Sequence, residues 1–313
     1  MLVICLKIYG FCGTISKIKT EVGNEMDMKI TDVRGHKGDA SFLIDNGKTS
    51  ILYDTGFGFT GYTVAENIKK CLGSRQLDYI FLTHSHYDHA LGSAYVLRHF
   101  PNATVVAGKY AADIFKRDGA KRVMKELDCK FANTCGVSSY EFLGDELRVD
   151  IEVDDGDIVC AGDMKFEVFY LPGHTRCCVG FYLREEGLFL SNETLGIYDG
   201  DKTILPSCLV SFSDAISSIE KIEQLNIKTM VAPHLGQLDE AQTQFFLENM
   251  KSATQNKVAD ILDSIKKGLS DEEIVEEFKA KYCSTGYIKE IYPDDAATLN
   301  TSIMVRLIRK ELL

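Results

Sequence analysis

Hydrophobic and polar positions along the chain fall into two regimes. Between Lys29 and residue 238, short apolar runs alternate with turns and helical stretches; from Asp239 onward the spacing is helical throughout. The first regime opens with KITDVRG and then ASFLIDNGKTSILYDTG, where Asn46-Gly47 is a hairpin turn between two apolar runs. TVAENIKKCL has helical spacing and leads to Tyr79-Ile80-Phe81-Leu82, which reads as a buried strand. SAYVLRHF and YAADIFKRDGAKRVMKELD read as helices separated by the short strand TVVAG. Residues 129–157 hold many acids and few periodic apolar positions, and read as an irregular excursion. MKFEVFYL then alternates with period two, and a hairpin follows: CVGFYL, the turn Glu185-Glu186-Gly187, and LFLSNETLG. The helix SDAISSIEKIEQL, with Ser213 or Asp214 as its N-cap, leads to the strand of TMVAPHLG.

In the second regime, residues 239–267 form one long amphipathic stretch. Ser270 and Glu273 make a capping box opening the next helix, and residues 295–312 form a last one. The expected organisation is an N-terminal extension (1–28), an α/β unit (29–238) and a helical cap (239–313). Met26 or Met28 is a candidate functional start.

Composition narrows the partners. With 45% apolar and 26% charged residues the chain is globular in character. A net charge of -11 argues against a nucleic-acid partner, since phosphate binding wants a basic face. No run approaches the roughly 18 apolar residues of a membrane helix, so no membrane partner is expected. Ten cysteines without a C-x-x-C pair, in a sequence with no evident secretory signal, read as reduced thiols of a cytoplasmic protein. A small-molecule substrate is the expected partner; oligomeric state is left open.

The chemistry concentrates in THSHYDHALG, residues 83–92, directly after the Tyr79–Leu82 strand. His84, His86, Asp88 and His89 offer imidazoles and a carboxylate suited to a borderline divalent metal such as zinc. Neighbours this close point in different directions, so the spacing suits two metals, with His84 and His86 serving one and Asp88 and His89 the other. His174 in PGHT and His234 in APHLG also stand where a predicted strand gives way to a loop. In layered α/β folds the loops at one sheet edge build the site. Three separated segments ending in histidine are poorly explained by core packing. His36 and His99 read as a loop residue and a helix C-terminal residue.

With its HxHxDH motif, Asp54 after the first strands, His174, Glu193 and His234 in order, the sequence resembles the metallo-β-lactamase fold superfamily over roughly residues 29–236. The resemblance implies a four-layer αββα sandwich with a dinuclear site at one edge, extended here by C-terminal helices. It implies that His84, His86 and His174 hold one metal, that Asp88, His89 and His234 hold the other, that Glu193 bridges them, and that Asp54 orients ligands from behind. Zinc is expected, with iron or manganese as alternatives. The implied activity is hydrolysis of a small ester, thioester, lactone or phosphodiester, with Asp88 as ligand and orienter of the attacking water.

Two departures matter. Most hydrolytic members carry aspartate in a segment like SGDTL, whereas this chain has SNETL, with Asn192 and Glu193. The extra methylene requires the carboxylate to fold back, serve one metal or shift the pair. A β-lactam substrate is not expected, because thiol-bearing lactamases have cysteine at the Glu193 position. Flavodiiron oxygen reductases have glutamate where His86 stands. The helical C-terminus is similar in placement to the substrate-covering helices of glyoxalase II and of quinolone-signal response protein-like thioesterases. By that analogy Tyr282, Tyr287 and Tyr292, in loops between the helices, and Arg176, after PGHT, are candidate substrate contacts. Pocket walls are expected from residues 57–62, the excursion at 129–157 and the C-terminal helices. A regulatory or ligand-binding protein retaining a slow metal site is the alternative, and metal-dependent redox chemistry a third.

Overall fold

The Asn46-Gly47 turn joins two antiparallel strands with Phe42 opposite Tyr53, and Gly47 takes the left-handed φ of +83° that such a turn favours. The computed structural model describes residues 28–284 and 286–313. It builds this hairpin into a sheet made of β1 (Lys29–Asp32), β2 (Phe42–Asp45), β3 (Ser50–Tyr53), β4 (Tyr79–Leu82), β5 (Thr104–Gly108) and β6 (Ile151–Val153), in that spatial order. The first three strands are antiparallel and the last four run parallel. Parallel strands need crossovers. They are supplied by α1 (Gly61–Leu72), then α2 (Tyr87–Ala90) with α3 (Gly92–His99), then α4 (Lys109–Phe115) with α5 (Asp118–Thr134).

The chain next lays down β7 (Ile158–Ala161), β8 (Met164–Tyr170), β9 (Val179–Leu183) and β10 (Leu188–Leu190). A small ribbon follows, β11 (Ile197–Tyr198) with β12 (Ile204–Leu205), then α6 (Phe212–Ile222), β13 (Thr229–Ala232) and β14 (Gly236–Gln237). The second sheet has the order β14-β13-β10-β9-β8-β7. The remainder is helical: α7 (Glu240–Lys266), α8 (Asp271–Tyr282), α9 (Gly286–Ile291) and α10 (Asp294–Leu312).

Strand alternation sorts the core into layers. In β4, Ile80 and Leu82 face α1 and α3, packing with Val64, Ile68 and Val96, while Phe81 faces the other sheet and meets Phe166 and Phe181. On the far side, Phe189 and Met230 pack on Ile219 of α6 and Phe246 of α7. The result is helix, sheet, sheet, helix: a four-layer αββα sandwich. Fully burying one such side chain stabilises by about 1.5–3 kcal/mol, so both the inter-sheet layer and the helix–sheet layers contribute heavily to the fold. The helical extension has its own cluster, in which Ile261 and Ile274 pack with Phe278, Met304 and Ile308.

Several local expectations change. The stretch read as one helix is two: α4 ends and Arg117 turns extended (φ -94°, ψ 118°) before α5 begins. The excursion at 129–157 contains the last turns of α5 and the edge strand β6, whose Ile151 and Glu152 are exposed and only Val153 is buried. An edge strand of three residues leaves too little alternation to read. The N-cap of α6 is Ser211, whose hydroxyl accepts the Asp214 N–H, rather than Ser213 or Asp214. The expected capping box at Ser270 with Glu273 forms, and a second, unmarked in the sequence reading, joins Asp239 with Gln242.

One contact fixes the strand β3 exit against the start of α3. Gly92 donates its N–H to the Gly56 carbonyl (3.1 Å), and a Cβ there would sit 2.0 Å from the Thr55 carbonyl oxygen. Gly92→Ala is therefore expected to force the 54–56 segment outward and to cost about 1–3 kcal/mol. Denaturant unfolding of the variant checks this; unchanged stability would show that the segment yields freely.

Candidate metal centre

The chemistry-bearing side chains leave the two sheets at a common edge. Asp54 follows β3, His84 to His89 follow β4, His174 follows β8, Glu193 follows β10 and His234 follows β13. His84, His89, His174, Glu193 and His234 are all buried. His84, His86, His174 and Glu193 present ligand-type atoms within 4.8 Å of one another, and Asp88, His89 and His234 form a second such group. This division, reached from side-chain geometry, coincides with the one the family resemblance implies, with Glu193 in the first group.

Glu193 lies between the groups. Its Oε2 is 2.7 Å from His174 Nε2, 3.7 Å from His84 Nε2 and 3.8 Å from His89 Nε2, while Oε1 is 3.3 Å from His234 Nε2. Asp88 Oδ2 stands 3.8 Å from His89 Nε2 and 3.9 Å from His234 Nε2. His174 Nε2 is 2.9 Å from His86 Nδ1. Glu193 opens a single 3₁₀ turn, Glu193–Leu195. The buried Asn192 caps it by accepting the Thr194 N–H (2.9 Å) and donates to the Val179 carbonyl (3.0 Å). The departure from the usual SGDTL pattern thus has a structural partner in Asn192.

The hydrogen bonds behind the histidines set their tautomers. His174 Nδ1 faces the Ser207 carbonyl (2.8 Å) and His234 Nδ1 the Gly38 carbonyl (2.8 Å); a carbonyl only accepts, so both Nδ1 atoms carry the proton. His89 Nδ1 bonds Asp54 Oδ2 (2.8 Å). Thr83 donates its hydroxyl proton to the same Oδ2 (2.8 Å), which leaves its oxygen to accept from His84 Nδ1 (3.0 Å). Four Nε2 lone pairs are thereby aimed at one place. Among the described residues, the Nε2 atoms of His84 and His89 are buried without any hydrogen-bond partner. Buried polar atoms are nearly always paired, and orphaned imidazole nitrogens beside carboxylates fit a divalent cation. The donor set therefore suits a metal.

Electrostatics agrees in the main. Burial, with the neighbouring imidazoles, holds His84 well below the ordinary histidine range, and burial with His174 brings His86 down to about 4. Burial pushes Glu193 up, but His174, His234 and His89 outweigh it and hold the carboxyl well below its usual range. Neutral imidazoles and an ionised carboxylate are the forms that bind cations. His89 differs: burial lowers it, yet Asp88 and Asp54 hold it up to about 9. That preference reverses beside a bound cation.

A cavity of about 390 Å³ opens over the cluster, lined by His86, Asp88, His174, Glu193 and His234 on one side and by apolar side chains elsewhere. Its walls come from Phe57, from Lys130 and Phe131 of α5, and from the α9–α10 region, as the three expected segments suggested. Of the four expected substrate contacts only Tyr292 lines it. Arg176 is exposed and is absent from the lining. Tyr282 ends α8 and donates to Asp260, away from the cavity. Tyr287 sits within α9 and donates its hydroxyl to the His234 carbonyl (2.7 Å), which makes it a support for that histidine.

Residues unmarked by the sequence reading also hold the site. Thr83 relays Asp54 to His84; its position between a core strand and the motif was the available signal. Ser207 and Gly38 act through backbone carbonyls, which leave no side-chain signature. Arg34 donates to the His234 carbonyl and to Tyr287 Oη (2.9 Å). The fully buried Asp39 accepts from Gly35, His36, Phe57 and Thr60, pinning the segment that carries Gly38.

Comparison with known proteins places this geometry. The chain is 27% identical to a hydroxyacylglutathione hydrolase of Gloeothece citriformis, over 61% of this chain and 63% of that protein. It is 27% identical to an acyl-coenzyme A thioesterase of Gallus gallus, over 46% of this chain and 50% of that one. The chain thus spans less than two thirds of either relative. A metallo-beta-lactamase family protein from Thermus thermophilus superimposes with a TM-score of 0.59 at 18% identity, covering 95% of this chain and 93% of that one. An archaeal superfamily protein from Sulfolobus tokodaii does so with a TM-score of 0.51 at 18% identity, over 69% and 81%. Residues 37–234 match the model of the metallo-beta-lactamase superfamily, and by that match the chain belongs to this superfamily.

Proposed function

We propose that the protein is a metal-dependent hydrolase that cleaves a small acyl ester or thioester with two divalent cations, zinc first and iron or manganese as alternatives. The observation that carries this reading is the convergence of four Nε2 atoms at the base of a largely apolar cavity, two of them, on His84 and His89, buried without a protein partner. In this reading His84, His86 and His174 hold one cation, Asp88, His89 and His234 the other, and Glu193 is shared. The names of the similar hydrolase and thioesterase support an acyl substrate over a phosphodiester. No helix among the described residues is long and apolar enough to cross a membrane.

Such cations, when bound, make water a nucleophile near neutral pH and polarise the carbonyl under attack. The chain's own residues supply the rest. Asp88, at the cavity surface, orients the attacking water and takes up its proton. A bond forms from that water oxygen to the acyl carbon, the bond to the carrier sulfur or oxygen breaks, and the departing group leaves with the proton. The apolar walls exclude competing water and strengthen every charge interaction on the floor. Residues 29–238 would carry the ligands and 239–313 the covering wall.

Protein purified without chelators is expected to hold two metal equivalents per chain by elemental mass spectrometry. His86→Ala should lose at least one of them and lower thioester hydrolysis by orders of magnitude. Less than one equivalent in the parent after adding metal back, or full activity in the variant, would overturn the assignment.

Thr83→Val keeps shape and removes the relay to His84. Metal affinity or activity is expected to fall about 10–100-fold with the fold retained, as losses behind metal ligands typically do. Competition with a metal-binding dye measures it; unchanged affinity would mean that His84 needs no fixed tautomer.

A further inference from the structure

The cavity states more about the substrate than the cluster on its floor does. Its non-ligand wall includes Phe57, Leu127, Phe131, Leu209, Leu299 and Ile303. Apart from the histidines of the cluster, the basic side chain in the lining among the described residues is Lys130, ion-paired with Asp295 at 2.8 Å. Arg34 and Arg176, beside the cluster in space and in sequence, offer nothing to a charge inside the cavity. Arg34 is engaged with Asp32, Tyr287 and the His234 carbonyl, and Arg176 is exposed outside the lining. A charged group carried into this space would lose its hydration with no counter-charge in the wall, a cost far above that of a buried methylene's gain. Uncharged polar groups in the non-ligand wall include Tyr87 and one bonded pair: Asn300 donates to Tyr292 Oη (2.6 Å), which leaves the phenol proton as a donor.

The mouth has the opposite character. Lys130, Asp295 and Leu299 are shared with an adjoining open groove that also presents Asp294, Thr298, Ser302 and Arg306. The enclosed end is thus apolar and the open end polar. Charges in that groove are already balanced in part, Asp294 by Lys279 and Asp271 by Arg309. A substrate whose carbonyl rests on the cluster would turn its apolar end inward and its polar carrier outward. At about 390 Å³ the space is near the small end of the roughly 300–1,000 Å³ typical of small-molecule sites.

We infer that the acyl group of the substrate is uncharged and largely apolar, a short alkyl or an aryl group, and that the site recognises this group rather than the thiol or alcohol that carries it. The inference rests on the hydrolase reading for the position of the carbonyl. Among the described residues, the groove that would take an anionic carrier presents the exposed Arg306, bonded to the Ser302 carbonyl and without an ion pair, and an exposed charge contact of that kind is worth no more than about fivefold.

The test uses the full metal-loaded chain, its metal content measured, with two readouts. The first is kcat/KM on N-acetylcysteamine thioesters bearing acetyl, butanoyl, hexanoyl or succinyl groups, and on the butanoyl thioesters of glutathione and coenzyme A. The second is calorimetric affinity for the matching ketones in which the thioester sulfur is replaced by methylene, which cannot be hydrolysed. Both are expected to improve about fourfold per methylene from acetyl to butanoyl. Succinyl should fall at least about tenfold below butanoyl. The anionic carriers should gain less than about fivefold over N-acetylcysteamine, the scale of exposed charge contacts. Ile303→Arg, which places a cation in the partly exposed wall, should shift the succinyl-to-butanoyl ratio upward by about tenfold or more. Equal or better binding of the succinyl ketone by the parent, or a dominant gain from glutathione or coenzyme A, overturns the inference. Selective ketone binding without turnover supports it while removing the hydrolase reading; turnover without acyl preference does the reverse.

Discussion

The buried carboxylate of Asp54 is the constraint on which the site depends. Asp54 leaves β3 with a left-handed φ of +49°, a conformation a non-glycine residue holds only when its surroundings impose it. Its N–H is bonded to the Phe81 carbonyl, and its carboxylate accepts the Thr83 N–H, the Thr83 hydroxyl and His89 Nδ1. One side chain therefore joins two neighbouring parallel strands at their ends and fixes two imidazoles, His89 directly and His84 through Thr83. Without those acceptors either ring could flip or change tautomer, and a lone pair aimed at the site would become a proton. The inter-sheet core makes this precision affordable, because β3 and β4 are immobilised by Tyr53 and Phe81 before the loops begin.

A second bracing system reaches the site from the helical end. His234 also has a left-handed φ, +62°, and its carbonyl accepts from Arg34 and Tyr287 while its ring is held by Gly38. Arg34 comes from just after β1 and Tyr287 from α9, so the first strand, the last sheet strands and the C-terminal helices meet at one backbone oxygen. The helices thus do more than cover the cavity. They hold a ligand-bearing residue in a strained conformation, which couples the order of the extension to the geometry of the floor.

The strands and the histidine cluster were legible in side-chain patterns, whereas the layered order and the places of Asp54 and Glu193 came from the family resemblance that the cluster carries. The apolar run of Phe42–Ile44, the alternation in Met164–Tyr170, and the dense spacing of His84, His86, Asp88 and His89 state periodicity and chemistry directly. What escaped does so for physical reasons. β6 is an edge strand with one buried residue, so its pattern is too short to register. Ser207 and Gly38 act through carbonyls that every residue possesses. Ser211, Ser213 and Asp214 are all competent caps within four positions, and the choice among them is made by where the preceding loop hydrogen-bonds to Gly173. Tyr287 and Tyr292 lie five residues apart, yet one braces a backbone oxygen and the other faces the cavity. Which way each points depends on how α9 docks, information that lies outside the local sequence.

Glu193 illustrates how a departure from a family pattern can be absorbed locally. A carboxylate one methylene longer than aspartate, placed on the same strand end, would overshoot a site sized for the shorter arm. Here the turn that carries it is capped by Asn192 in place of the usual glycine, and Asn192 is itself tied to β9 through the Val179 carbonyl. The cap sets where the glutamate backbone starts, and the side chain then places one oxygen toward His234 and the other toward His174, His84 and His89. Both groups of donors thus remain within reach of one carboxylate. The two departures in SNETL are physically linked: the asparagine fixes the backbone from which the glutamate side chain starts.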